Sequence, residues 1–108
     1  MKKELIIELF KKLKDACYQC NNLECWSARD LQEMLGYSKW DNFKNAIEKA
    51  GVKAQDHFAD VEKMIEIGKG GQREVDDIAL TWYACYLIAQ NGDSTKNEIS
   101  FSQTYFRC

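Results

Sequence analysis

The feature of this sequence that most restricts its fold is an almost uninterrupted apolar stretch between Asp77 and Asp93. From Ile78 to Ala89, Thr81 is the only residue outside the hydrophobic class. A segment that is apolar on every side is normally buried on every side, and this one is well short of the roughly 20 residues that a bilayer requires. It therefore predicts the central helix of a small domain, closed by a left-handed cap at Asn91–Gly92.

Length and composition allow one folded domain over residues 1–108. Hydrophobic residues make up 45% and charged residues 30% of the chain, an ordinary globular balance. We expect an α+β, mainly α, compact single domain of about five helices, with a helix-turn-helix-like pair and a small β-hairpin. The formal net charge is −2, so any binding of nucleic acid requires a local basic patch.

The first half of the chain predicts an amphipathic helix, a short strand and two capped helices. Lys3–Tyr18 has apolar residues at helical spacing, and Leu23–Trp26 is either a short strand or an extended lead-in to the next helix. Ser27–Asp30 and Ser38–Asp41 each match the capping-box pattern that begins a helix, and Gly36 and Gly51 follow as stop signals. This arrangement indicates a helix-turn-helix-like pair, although helical hairpins without DNA function share it.

The second helix of this pair has an outward polar stripe that suits DNA. Amide side chains hydrogen-bond adenine edges, and lysine neutralises phosphate. The alternative is an ordinary solvated helix face, because Asp41 and Glu48 lie on the same helix. The stripe and its N-terminal neighbour consist of Ser38, Lys39, Asn42, Asn45 and Lys49.

Glycines at residues 68, 70 and 71 predict the turn of a β-hairpin between Lys63–Ile67 and Gln72–Asp76, although a helical continuation through Met64 stays open. A helical turn is expected just before it, within Gln55–Glu62. The hairpin forms a basic wing that carries Lys63, Lys69 and Arg73, and the alternative is a plain turn with exposed lysines. The glycines lack the spacing of a phosphate-binding loop, so no nucleotide or other cofactor is expected.

The five cysteines and the single histidine do not predict a metal or catalytic site. Cys17 and Cys20 have Cys-x-x-Cys spacing, but no second pair of ligands completes a zinc site. Cys17 and Cys85 lie within apolar patterns that are typical of small buried thiols. His57 has no evident catalytic partner. We therefore expect no metal, no catalytic residue and no enzymatic activity.

The C-terminal segment predicts a helix with two apolar lines. Thr95–Glu98 matches a third capping box, followed by Ile99, Ser102 and Phe106 on one line. Phe101 and Tyr105 form the other line, which we expect to contact a larger parent chain or a second copy in a homodimer.

Three segments of the sequence carry a family resemblance. They are Trp26–Ser38 with Trp40 and Phe43, Lys63–Gly68 with Arg73–Asp77, and Tyr83–Asp93 with Lys96 and Gln103–Phe106. The most specific part is the Tyr-Ala-Cys-Tyr-Leu sequence before Asn-Gly-Asp. Together the segments resemble, over roughly residues 24 to 106, the N-terminal part of the DNA-damage-inducible protein D family, which is related to the BRO N-terminal and phage antirepressor modules.

The resemblance implies a bacterial, cytoplasmic, non-enzymatic module of the SOS-type DNA-damage response, without a membrane association. Its expected partners are single- or double-stranded DNA, or DNA-bound repair and recombination proteins. The alternative is a prophage antirepressor-like transcriptional regulator that acts through protein–protein contacts. The sequence departs from the family pattern at Trp82 and Ser94, where arginine and proline are usual, and relatives continue into a charged helical C-terminal region.

Overall fold

The computed structural model describes residues 3–20, 22–51, 58–66 and 68–107, which form five helices and one four-stranded sheet. The predicted α+β class with mainly helical content is confirmed, and the sheet is larger than the expected small hairpin. The helices are α1 (Lys3–Ala16), α2 (Ala28–Met34), α3 (Trp40–Lys49), α4 (Trp82–Gln90) and α5 (Asn97–Tyr105). The strands are β1 (Tyr18–Cys20), β2 (Leu23–Ser27), β3 (Phe58–Glu66) and β4 (Gln72–Thr81).

The strand order is β1-β2-β4-β3, and all neighbouring strands are antiparallel. β3 and β4 pair from Phe58 opposite Leu80 to Glu66 opposite Gln72, which confirms the predicted hairpin. β2 pairs only with the last three residues of β4, Ala79 to Thr81. β4 is therefore a central strand at its C-terminal end, and at its N-terminal end β3 is its only strand partner in the described sheet.

The prediction of one helix from Asp77 was wrong, because β4 continues to Thr81 and α4 begins at Trp82. Residues 78–80 are buried, with Ile78 and Leu80 packed in the core, and β4 has a strand on each side at Ala79 and Leu80. A short buried strand and a buried helix give the same apolar run, so hydrophobicity alone does not separate them. The Thr81 hydroxyl accepts a hydrogen bond from the Ala84 amide at 3.2 Å and is the N-cap of α4.

The segment before β3 was also predicted incorrectly. A helical turn was expected within Gln55–Glu62, but the chain is in β3 from Phe58 onward. The earlier residues of that prediction, and His57 with them, lie outside the described residues.

Two of the three predicted helix ends are confirmed. Gly36 and Gly51 follow α2 and α3 with φ angles of 82° and 76°, a left-handed conformation that glycine adopts without steric cost. The left-handed cap at Asn91–Gly92 is wrong, since Asn91 has a φ of −90° and Gly92 has no left-handed φ. At Gly92 the reason for glycine is space, because an added Cβ would lie 2.8 Å from the Ile99 Cγ2 atom.

Of the three predicted capping boxes, one has its N-cap residue confirmed. Ser27 is the N-cap of α2, and its hydroxyl accepts a hydrogen bond from the Asp30 amide at 3.3 Å. The other two were wrong, because Lys39 and Lys96 occupy the N-cap positions of α3 and α5 without a side-chain capping bond. α3 and α5 are therefore held by their buried faces more than by their caps.

The hydrophobic core joins all five helices to one face of the sheet. The Trp26 indole of β2 donates a hydrogen bond to the Leu13 carbonyl of α1 at 2.8 Å, and its ring meets Phe106 edge-on with centroids 5.3 Å apart. The inner faces of α3 and α5 were expected to be apolar, and Trp40 on α3 is half-buried. The buried residues on these faces are Phe43, Ile47, Ala50, Ile99, Ser102 and Phe106. None of the described helices is long and apolar enough to cross a membrane.

Candidate nucleic-acid interface

A buried carboxylate joins the start of α2 to the sheet. Asp77 of β4 is only 3% exposed, and its two oxygens accept hydrogen bonds from the Ser27 hydroxyl at 2.5 Å and the Arg29 amide at 3.0 Å. One of these oxygens also accepts from the Ile78 amide at 2.8 Å. An acid at the N-terminal end of a helix satisfies free amides and complements the helix dipole. Asp77 therefore holds the N-terminal end of α2 against β4.

Arg29 connects three elements at this junction. Its Nε atom donates to the Asp76 carbonyl of β4, and its guanidinium lies over the Trp40 ring of α3, 4.2 Å from the centroid. This cation–π contact places the first residue of α3 against the first turn of α2. The Asp76 carbonyl lies beyond the end of β2, so Arg29 satisfies a carbonyl that has no strand partner on that side.

Lys63 of β3 is also held at the junction. Its ammonium group forms an ion pair with the Asp30 carboxylate and lies 3.4 Å from the Ser27 hydroxyl. The side chains of Lys63 and Asp30 are 31% and 40% exposed, so the pair is open to water.

Beyond this junction the β3–β4 hairpin continues as a two-stranded ribbon. We call its residues Lys63–Glu66 and Gly68–Asp76 the wing. At about 3.3 Å per residue, the strands carry its tip roughly 13 Å past Asp76. Gly68 and Gly70 in the tip have left-handed φ angles.

The two faces of the wing differ in charge. Side chains alternate along a strand, so Arg73 and Val75 lie on one face, with Lys63 paired opposite Val75. Glu74 and Asp76 are exposed on the other face. The wing therefore presents one basic face and one acidic face.

The polar stripe of α3 faces a different part of the molecule. Asn42, Asn45 and Lys49 line a groove of about 200 Å³, whose other side is formed by the α4–α5 turn at Asn91–Asp93. At about 100° per residue, Lys49 lies roughly 180° around α3 from Trp40, which contacts Arg29. The stripe and the wing contact are therefore on opposite flanks of α3.

The groove contains charges of both signs. Hydrogen bonds from the Thr95 side chain and amide hold the pKa of Asp93 below its ordinary value, with a smaller contribution from Lys96. Lys49 lies along the same groove. This side of α3 is therefore amide-rich with little net charge.

Six of the eight predicted contact residues form two groups, and the other two, Ser38 and Lys39, are exposed at the start of α3. Lys63, Lys69 and Arg73 belong to the wing, and Asn42, Asn45 and Lys49 belong to the groove. The roles of Arg29, Asp30 and Asp77 at the junction were not predicted from the sequence. The first two lie inside the recognised capping box, which was the available signal.

The thiol chemistry of Cys17 is unlike that of a redox or metal-binding cysteine. Partial burial, followed by a hydrogen bond to Glu24, raises the pKa of Cys17 to about 11. Reactive thiols have lowered pKa values. Across the described residues, no three His, Cys, Asp or Glu side chains are grouped to hold a metal ion.

Comparison with known proteins identifies the family. Residues 16–106 match the BRO family, N-terminal domain. The chain belongs to this family. This BRO N-terminal domain is also 44% identical, over 93 residues, to the DNA damage-inducible protein D of Escherichia coli (strain K12). The match covers 80% of this chain but 34% of that protein, so the chain spans about a third of its relative's length.

The predicted resemblance to the N-terminal part of the DNA-damage-inducible protein D family is thereby confirmed. The matched region contains the helix pair, the wing and α4 and α5, whereas α1 precedes it except for Ala16. No solved structure matches the chain significantly.

Proposed function

We propose that this BRO N-terminal domain is a non-catalytic module of the DNA-damage response that binds DNA through the basic face of the wing. The name of the Escherichia coli relative supports the process, and the wing supports the mode of binding. DNA-bound repair proteins are the other partners that fit this process. Cytoplasmic location is part of the same proposal.

The observation that carries the proposal is the exposed charge on the wing. Lys69 and Arg73 are exposed, and neither is paired with an acidic side chain of the described residues. Cations held on a protruding ribbon reach a phosphate backbone without moving the rest of the domain. Because the opposite face carries Glu74 and Asp76, the wing is attractive to DNA on one face only.

The start of α3 extends this surface. Lys39 is exposed and directly precedes Trp40, which contacts Arg29 at the base of the wing. Asp41 and Glu48 are exposed on α3 and lie around the helix between Trp40 and the groove side, and both repel phosphate. We therefore propose that Ser38 and Lys39 contact the phosphate backbone of DNA beside the wing. Asn42, Asn45 and Lys49 would make separate DNA contacts from the side of α3 that lines the protein groove.

The test is fluorescence anisotropy with single- and double-stranded DNA at several salt concentrations. Each phosphate contact contributes about 0.9 to the slope of log affinity against log salt on duplex DNA. Lys69→Ala with Arg73→Ala should lower the slope by roughly 1.8 and weaken binding at low salt.

The matched control is Lys11→Ala with Lys14→Ala, which removes the same charge from exposed positions of α1. Absence of binding at low salt would remove the proposal. So would equal losses in the wing variant and the α1 variant, because the effect would then follow net charge alone.

The alternative is an antirepressor-like regulator that acts through protein contacts, and one apolar surface favours it. Ile7 and Phe10 on α1 are 58% and 49% exposed, and the Phe10 ring meets Tyr105 of α5 with centroids 5.5 Å apart. Tyr105 also lies next to Phe101, with ring centroids 6.1 Å apart. This surface includes the aromatic line for which a homodimer was predicted.

If this surface is the contact of the predicted homodimer, Phe10→Ala should raise the dimer dissociation constant about tenfold or more in sedimentation equilibrium. Tyr83→Ala is the control, since Tyr83 is a similarly exposed aromatic residue, at 47%, on α4. A monomer at all concentrations, or equal effects of the two changes, would count against a homodimer interface at this surface.

A further inference from the structure

We infer that Asp30 withholds Lys63 from DNA, so that the wing binds below its full strength until this ion pair opens. The inference rests on the proposed function and concerns the regulation of the same surface. Asp30 would act as an internal substitute for a phosphate, because both groups present anionic oxygens to the ammonium.

The position of Lys63 on the wing is the first observation. Lys63 pairs with Val75, and Arg73 is the diagonal neighbour on the same face, at roughly 7–8 Å between Cα atoms. A nucleic-acid backbone that contacts Arg73 therefore passes within reach of the Lys63 side chain.

The present partner of Lys63 is the second observation. Its ammonium bonds to Asp30 at the start of α2, away from the tip of the wing. The pair is about one-third exposed on the lysine side, so water and a competing anion have access to it. Exposed ion pairs are weak, which allows a phosphate to displace the carboxylate.

The junction does not depend on this ion pair for its other contacts. Ser27 keeps its bonds to Asp77 and to the Asp30 amide, and Arg29 keeps its bonds to Asp76 and Asp77. Opening the pair therefore frees Lys63 without dismantling the start of α2. The same reasoning makes Asp30→Asn a variant that should fold.

The experiment compares DNA affinity in a double-mutant cycle. Asp30→Asn should add one phosphate contact, which steepens the salt slope by about 0.9 and tightens binding roughly eightfold at 0.1 M salt. Lys63→Met alone should change the DNA affinity little, because Asp30 already holds Lys63 away from DNA in the wild type. In the Lys63→Met background, Asp30→Asn should give no gain.

Glu33→Gln is the matched control for charge, because Glu33 is an exposed acid on the same helix with no ion pair among the described residues. An equal gain from Glu33→Gln, or a gain from Asp30→Asn that persists without Lys63, would overturn the inference. The inference would also be overturned if Lys63→Met lowered the DNA affinity as much as Arg73→Ala does. This comparison can be made even if Asp30→Asn does not fold.

Failure of the inference is distinguishable from failure of the proposed function. Wild-type binding that depends on Lys69 and Arg73, without a specific gain from Asp30→Asn, overturns the inference and leaves the function standing. Absence of wing-dependent binding in every variant overturns both.

Discussion

Replacing Asp77 with alanine is expected to lower the free energy of unfolding by about 3–5 kcal/mol. The change removes the acceptor of the Ser27 hydroxyl and of the Arg29 and Ile78 amides; the first and last of these bonds are buried, and the Arg29 bond is partly buried. Buried donors without acceptors cost about 1–3 kcal/mol each, and alanine also leaves a cavity. Typical domains are stable by only about 5–15 kcal/mol, so this variant should lose a large fraction of its stability.

The measurement is urea unfolding followed by circular dichroism, with Asp76→Ala as the control. Asp76 is the neighbouring aspartate, but its side chain is exposed, and its contact to Arg29 uses the backbone carbonyl. We expect Asp76→Ala to stay within about 0.5 kcal/mol of wild type. Similar losses in both variants would mean that the Asp77 hydrogen bonds do not hold the junction.

The second large effect is expected for Leu13→Ala, at about 2–5 kcal/mol. Leu13 is 2% exposed on α1, and its carbonyl accepts the indole hydrogen bond of Trp26. The family match begins at residue 16, so this buried side chain lies on a helix that precedes the matched region. A loss of this size would show that α1 is part of the folded unit.

Leu23→Ala makes the same chemical change at a position that is 58% exposed on β2. It should cost less than about 0.5 kcal/mol in the same unfolding experiment. If the two leucine variants were equally stable, α1 would not pack on Trp26 as described.

Local signals were sufficient for much of the fold. The glycines at 68, 70 and 71 located the hairpin, since left-handed turns favour glycine. Ser27 located the start of α2, because a side-chain acceptor at the N-cap satisfies free amides directly. The polar stripe of α3 and the line of Ile99, Ser102 and Phe106 on α5 distinguished the exposed face from the buried face. In each case, residues close together in sequence determine the structure.

The central stretch could not be predicted in the same way. Ile78, Ala79 and Leu80 are buried strand residues that pair with β3, and the last two also pair with β2; both partner strands are distant in sequence. Hydrophobic periodicity does not record such pairing, so the strand was taken for the first turn of a helix. Thr81 marked the boundary, and its role as an N-cap was the signal that was overlooked.

In the candidate site too, features set by local sequence were predictable and contacts between distant elements were not. Exposure of the wing lysine Lys69 and of Arg73 was predictable from turn chemistry and alternation. The pairing of Lys63 with Asp30 and the contact of Arg29 with Trp40 were not, because each joins residues from different elements.

The strand order has a consequence for aggregation. β1 and β3 are the outer strands of the described sheet, and outer strands can pair with those of another molecule. β1 has three residues, which is a short template. β3 is long, but its sequence Phe-Ala-Asp-Val-Glu-Lys-Met-Ile-Glu contains acids and a lysine throughout. The charged residues of β3 and the short length of β1 should keep the strands of neighbouring molecules from pairing with either edge of the sheet.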